Sequence, residues 1–320
     1  MTTPNTMSIP KPAAGALPAT AERAKTKRKH HHKDDLSLRR QIILQCLCIL
    51  IAVTVLFPIA WIVSMSLDTT NARPTGLNLI PNNPSLDAYR TVIARPTQNA
   101  VGFLQLALNS MILAVLISTL SVSIGVLAAY AFSRMKFRGR ELMMIGILAV
   151  LMLPAIATLA PLYVMLNKVV IGGFNLRNSL IGVALAVLAG QLPFAIWNMK
   201  GYLDTIPREL EEAATVDGAS RLQTFIRIIL PLSTPVIAVT AFFGFIAGWT
   251  EFYFSSIFLD NQQNFTLAVA LNGMVGQYAG STPWSTFAAF SILVALPVSV
   301  VYLFLQRYII SGLTLGGVKG

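Results

Sequence analysis

The chain has 320 residues, of which 55% are hydrophobic and only 12% charged, with a formal net charge of +11. A soluble fold carries roughly a quarter of its residues as charges, so this composition excludes an ordinary globular protein. The cationic excess is not a nucleic-acid footprint either. Its lysines and arginines collect in short stretches between apolar runs, as membrane topology requires.

Residues 1–40 form a basic segment rich in Pro, Ala, Thr and Lys, which is expected to be a disordered tail. Its His30, His31 and His32 have metal-binding chemistry, but in a basic, flexible tail they are read as solvated. Residues 41–320 are read as one transmembrane domain. Crossing the hydrocarbon core takes about 20 apolar residues, and six runs qualify: 42–66, 103–133, 142–166, 178–199, 232–258 and 286–306. The expected fold is all-α, a polytopic membrane protein of six transmembrane helices. Cys46 and Cys48 lie in the first run, where they are read as packing thiols. Pro58, Pro154, Pro161, Pro193 and Pro297 fall inside the runs and are expected to interrupt them. Glu251 stands in the fifth run without a second carboxylate or a histidine in any other, so it cannot form a proton relay and is placed at the run's outer end or a subunit contact. Gln191 and Asn198 in the fourth run are read as inter-helix hydrogen-bonding amides.

Six spans put both termini on one side. That side carries nineteen Lys and Arg residues against five on the other, which predicts cytoplasmic termini.

The segment between the fourth and fifth runs is the most informative. In Thr205-Ile-Pro-Arg-Glu-Leu-Glu-Glu-Ala-Ala-Thr-Val-Asp-Gly218, Pro207 suits a first helical turn. Glu209, Glu211 and Glu212 complement the positive end of the helix, and Gly218 is a natural stop. Ser220 and Gln223 are spaced as a capping box for a second helix reaching Leu230-Pro231. The first helix spans about ten residues, too short to be stable alone. Its Leu210, Ala213, Ala214 and Val216 make a small-residue face. Two readings follow from the residues: a rigid knob docked into a cytoplasmic partner, or an amphipathic helix lying on the membrane.

The residues also carry a resemblance. Glu212-Ala213-Ala214, three residues, Gly218, nine residues, Ile228, one residue and Leu230-Pro231 match the EAA signature of ABC importer permeases at every specified position. Beyond the motif, the chain after residue 40 is similar to carbohydrate-type permeases, most of all the G-type subunits of maltose/maltodextrin importers. Ala129-Tyr-Ala-Phe-Ser-Arg-Met135, leading into Phe137-Arg-Gly139, carries this likeness, and so do Gln306-Arg-Tyr308, Gly312-Leu-Thr314 and Gly316-Gly-Val-Lys-Gly320.

The resemblance implies the type I ABC importer permease fold in a bacterial plasma membrane. It implies a non-enzymatic transport subunit for maltose/maltodextrin, with trehalose or another oligosaccharide as the alternative. Its partners would be a second, F-type permease, two copies of an ATPase subunit holding ATP and Mg, an external sugar-binding protein and the lipid bilayer, with no nucleic acid. No Gly-x-x-x-x-Gly-Lys-Ser/Thr phosphate loop occurs in the chain, which agrees with a separate motor and no cofactor of its own. Carried over residue by residue, Glu212, Ala213, Ala214, Asp217 and Gly218 in the 201–231 loop would contact the ATPase. In the 308–320 tail, Gly316, Gly317, Val318, Lys319 and Gly320 would reach between the ATPase subunits. In the external 259–285 loop, Gly273, Gln277, Tyr278 and Gly280 would probe the docked binding protein. A stand-alone secondary transporter is the rival class, but paired broken helices in repeated halves are not evident.

Overall fold

The computed structural model describes residues 38–72, 76, 79–81, 83–97, 100–276 and 281–316. Its contacts divide the chain into Met1–Thr54 and Val55–Gly320, the boundary falling inside the first helix, α1 (Leu38–Ser66). Residues 38–54 are exposed along their whole length, including Cys46 and Cys48, so the cysteines do not pack in this chain's interior as expected.

In the second unit, α2 (Asp87–Ala94) precedes the long α3 (Phe103–Arg134). The third apolar run is two helices, α4 (Arg140–Leu151) and α5 (Ala155–Asn167), bent by 103° from one another. A two-residue Gly172-Gly173 turn, both at positive φ, then joins β1 (Val170–Ile171) to β2 (Phe174–Asn175), a tight hairpin geometry that glycine adopts freely. Next come α6 (Leu180–Leu203), α7 (Glu209–Val216), α8 (Arg221–Thr224), a π-helical stretch Phe225–Ile229 and α9 (Leu230–Leu232). The remaining helices are α10 (Thr234–Trp249), α11 (Tyr253–Phe258), α12 (Leu267–Gly273) and α13 (Trp284–Gly316), with a 3-10 turn at Gln262–Asn264. Five stretches are long and apolar enough to cross a membrane, and the bent α4–α5 pair counted as one span makes the sixth.

Four of the five prolines do not break their helices. Pro58, Pro161, Pro193 and Pro297 lie inside continuous α1, α5, α6 and α13. A helix absorbs the lost hydrogen bond by bending, whether the proline is buried, as Pro193 is, or exposed, as Pro58 and Pro161 are. Pro154 stands instead at a break, as the N-cap of α5 after the exposed Met152 and Leu153. The residue before a proline is also pushed out of the helical region. The helix ends there and α5 starts afresh.

The α3 helix is central and packs against both α6 and α10. Its interior stripe includes Leu113, Ile117, Val126 and Ala129. Small residues bring the backbones together. A side chain on Gly248 would meet the Ala114 backbone, and one on Gly244 would meet that of Ser118. Two small residues four apart on α10 therefore face two four apart on α3, the arrangement that permits close helix association in lipid. The Ser118 hydroxyl donates to the Ala241 carbonyl across this seam at 2.8 Å. Asn198 on α6 donates to the Thr240 hydroxyl of α10 at 3.4 Å.

Glu251 caps a break. It sits between α10 and α11, and its carboxylate accepts the amides of Phe254 at 2.6 Å and Ser255 at 3.4 Å. These are orphan donors at the start of α11. The Thr266 hydroxyl donates to its carbonyl. Its burial is thus explained by chain geometry within this subunit.

Candidate functional site

The segment joining α6 to α10 emerges from the bundle as a helical knob. The α7 helix has eight residues and starts after Arg208, so Pro207 lies just outside it. At the other end Gly218 has φ +83°. The amide of Ala219 donates to the Ala214 carbonyl at 2.9 Å and that of Gly218 to the Thr215 carbonyl at 3.0 Å. This pair of bonds is the Schellman stop, whose left-handed residue is best supplied by glycine. The next turn opens on the reciprocal Ser220–Gln223 capping box. Beyond it the chain widens into the π-helical stretch before Pro231, which has no amide to continue the ladder.

A polar cluster fixes the base of the knob to the end of α3. Arg134, with its side chain 8% exposed, bonds the Glu211 carboxylate at 2.5 Å. Its guanidinium also donates to the Ile206 carbonyl at 2.9 Å, while Tyr130 donates to the other Glu211 oxygen at 3.3 Å. Ser133 and Lys200 donate to Asp204, at 2.5 and 2.6 Å, and Arg208 donates to the Ser133 carbonyl at 3.2 Å. Burial pushes the Asp204 carboxyl up, but the hydrogen bonds from Lys200 and Ser133 outweigh it and hold the group below its ordinary range. Its stabilising effect is therefore full above the unfolded pKa of about 3.9 and is lost as pH falls through the lower folded value. Beneath the knob, Phe225 packs at 4.8 Å from the Tyr130 ring, alongside buried Met199, Leu203 and Ile229.

This arrangement divides the acids and alanines of α7. Glu211 faces inward and is spent on Arg134. Ala214 is 7% exposed and belongs to the base of the knob, so the four small residues do not share one outer face. Glu212, Ala213, Val216, Asp217 and Gly218 are exposed, with Val216 88% exposed. The sequence reading missed Arg134 as a brace, since 77 residues separate it from Glu211. Glu212 and Thr215 line a cavity of about 750 Å³ with Tyr130, Arg134, Arg208 and Arg221.

At the opposite end of the bundle, Arg177 ties the α5–α6 connection to the loop after α11. It pairs with Asp260, donates to the Phe258 carbonyl at 2.7 Å and to Asn167 at 3.1 Å, and lies 4.8 Å over the Tyr163 ring. The hydrogen bond from Arg177 holds the Asp260 carboxyl below its ordinary range. Gly273 is the exposed last residue of α12. The proposed loop contacts Gln277, Tyr278 and Gly280 lie outside the described residues. In the tail, Gly316 ends α13, and Gly317, Val318, Lys319 and Gly320 also lie outside them.

Residues 121–314 match the family described as the binding-protein-dependent transport system inner membrane component. The galactooligosaccharides transport system permease protein GanQ of Bacillus subtilis is 35% identical over 289 residues, covering 89% of this chain and 99% of that protein. The trehalose/maltose transport system permease protein MalG of Thermococcus litoralis is 36% identical over 281 residues, covering 88% and 98%. In fold, the chain is similar to one in the crystal structure of a bacterial ABC transporter that imports the acidic polysaccharide alginate. That match has a TM-score of 0.69 and 24% identity, and covers 84% of this chain and 96% of the other. A bundle of membrane-spanning helices, a braced α7 knob carrying the EAA signature, and relatives similar along nearly their whole length lead to one assignment: the chain belongs to the binding-protein-dependent inner membrane components, as a multi-pass permease subunit of the sugar ABC importer type.

Proposed function

We propose that this chain is one half of a heterodimeric permease that carries maltose and maltodextrins into the bacterial cytoplasm. An external sugar-binding protein feeds it, and two copies of a separate ATPase subunit, holding ATP and Mg, drive it. The observation that carries the motor half of this reading is the exposed outer face of α7, formed by Glu212, Ala213, Val216 and Asp217 on a helix braced at its base by Arg134. A short helix fixed in this way transmits displacement in both directions. A helix merely resting on the membrane needs no buried ion pair beneath it. The braced knob would dock in the ATPase subunit, so that closure of the ATPase pair around ATP rocks α6 and α10 together.

The nineteen-to-five distribution of Lys and Arg supports cytoplasmic termini, with the α7 knob on the same side. A periplasm-active reporter fused at residue 270 should be active and one at residue 215 silent. The reverse pattern would overturn this orientation.

Maltose and maltodextrin are supported by the maltose-transporting relative and by the tail motif Gly312-Leu-Thr314 with Gly316-Gly317. The same relatives favour a second substrate reading, trehalose or a galactooligosaccharide. The test is uptake of radiolabelled maltose, maltotriose, trehalose and galactobiose by cells lacking this chain and by cells in which it is restored. The proposal expects ATP-dependent uptake of the two maltosaccharides only. Restoration of trehalose or galactobiose uptake alone would replace the substrate while leaving the transport assignment standing.

A further inference from the structure

A second cavity, of about 810 Å³, opens between the start of α4 and the Trp197 region of α6. Its mouth is cationic: Lys136, Arg140 and Lys200 line it, with Glu141 the one acid among its lining residues. Lys200 is matched by Asp204, so the excess positive charge comes from Lys136 and Arg140, which enter no ion pair among the described residues. The start of α4 lines the same cavity through Gly139, Arg140 and Glu141, and its N-cap Gly139, at φ +84°, leaves the first amides without a side-chain cap. A helix start of this kind favours a phosphate. Trp197 of α6 forms part of the wall opposite.

Beyond the mouth the walls turn apolar. Leu142, Ile145 and Leu148 recur every three residues along α4 and are 74%, 62% and 39% exposed. A cationic rim with helix amides leads directly onto an apolar stripe running up a membrane-spanning element. Only an amphiphile satisfies both parts. An acidic patch on a soluble partner would leave the stripe bare, and a free anion would not use it.

We propose that this cavity binds an anionic phospholipid, its headgroup phosphate held by Lys136, Arg140 and the α4 amides, its acyl chain laid along Leu142, Ile145 and Leu148. Basic pockets between membrane helices hold acidic headgroups in this manner. The lipid would wedge the α3–α4 connection against α6, next to the base of the knob.

Native mass spectrometry of the complete transporter, purified in detergent and titrated with dioleoyl phosphatidylglycerol or dioleoyl phosphatidylcholine, tests the site. Phosphatidylglycerol should bind at least tenfold more tightly than phosphatidylcholine. The double substitution Lys136→Gln/Arg140→Gln should lower phosphatidylglycerol affinity about thirtyfold and leave phosphatidylcholine unchanged. Millimolar inorganic phosphate should not displace the lipid. Equal binding of the two lipids, wild-type affinity in the double variant, or displacement by phosphate would each overturn the proposal. So would an assembled transporter that binds no phosphatidylglycerol, because another subunit would then cover this face.

Discussion

Replacing Gly248 by leucine is expected to prevent stable assembly of the bundle. A Cβ at this position would sit 2.5 Å from the Ala114 Cα and 2.8 Å from its amide nitrogen. Backbone atoms cannot swing aside as a flexible side chain does, so α3 and α10 must separate. Separation would also loosen the Gly244–Ser118 approach and the Ser118–Ala241 hydrogen bond. Without a hydrophobic force between helices in lipid, close packing and such bonds carry the association. Overpacking ordinarily costs about 1–3 kcal/mol, and a leucine against backbone should exceed that range. Size-exclusion yield and thermal melting in detergent check it. Gly248→Leu should yield little monodisperse protein, with Gly248→Ala between it and wild type. Wild-type behaviour of the leucine variant would mean that α3 and α10 are not in contact here.

The second large effect is expected at Arg134. Arg134→Ala strands the Glu211 carboxylate with only the Tyr130 hydroxyl and leaves the Ile206 carbonyl without its donor. Breaking a buried pair costs about 3–5 kcal/mol. The lower end applies, since the Glu211 side chain is 18% exposed. Arg134→Lys keeps the charge but loses the fork that reaches Glu211 and Ile206 at once, so it should fall between. Adding Glu211→Gln to Arg134→Ala removes the unpaired charge and should recover part of the loss. Thermal unfolding of the purified transporter reads the cycle. Additive losses would show that the two side chains do not act as a pair.

The apolar runs announced the spans because length and hydropathy suffice where the solvent is hydrocarbon. The knob was equally legible, since Gly218 and the Ser220–Gln223 pair are local signals whose geometry needs no distant partner. Other features depended on what the fold brings alongside. Pro154 and Pro193 look alike in sequence, yet only Pro154 stands at a helix break. The Gly244 and Gly248 spacing gains meaning only with Ala114 and Ser118 opposite. Glu251 looked like a membrane acid in search of a role, whereas it caps a break that hydropathy does not register. The division of labour between Glu211 and Glu212 required the position of Arg134, which no local pattern supplies.

The central claim is that the outer face of α7 joins this chain to its motor, and Glu212 tests it most directly. Glu211 is engaged with Arg134 and cannot substitute for its neighbour, so an exposed Glu212 should make its own charge-assisted contact with a basic group of the ATPase subunit. Such a contact is worth about 1.5–3 kcal/mol, or roughly ten- to a hundredfold in affinity. A helix lying on the membrane would instead gain about 1 kcal/mol from an added lysine near an anionic leaflet. The measurement is maltose-stimulated ATPase activity and subunit stoichiometry of the reconstituted transporter carrying Glu212→Ala or Glu212→Lys. The account predicts that Glu212→Ala weakens both, and that Glu212→Lys weakens them further by setting like charges against each other. Full stimulation and normal stoichiometry with Glu212→Lys would contradict it.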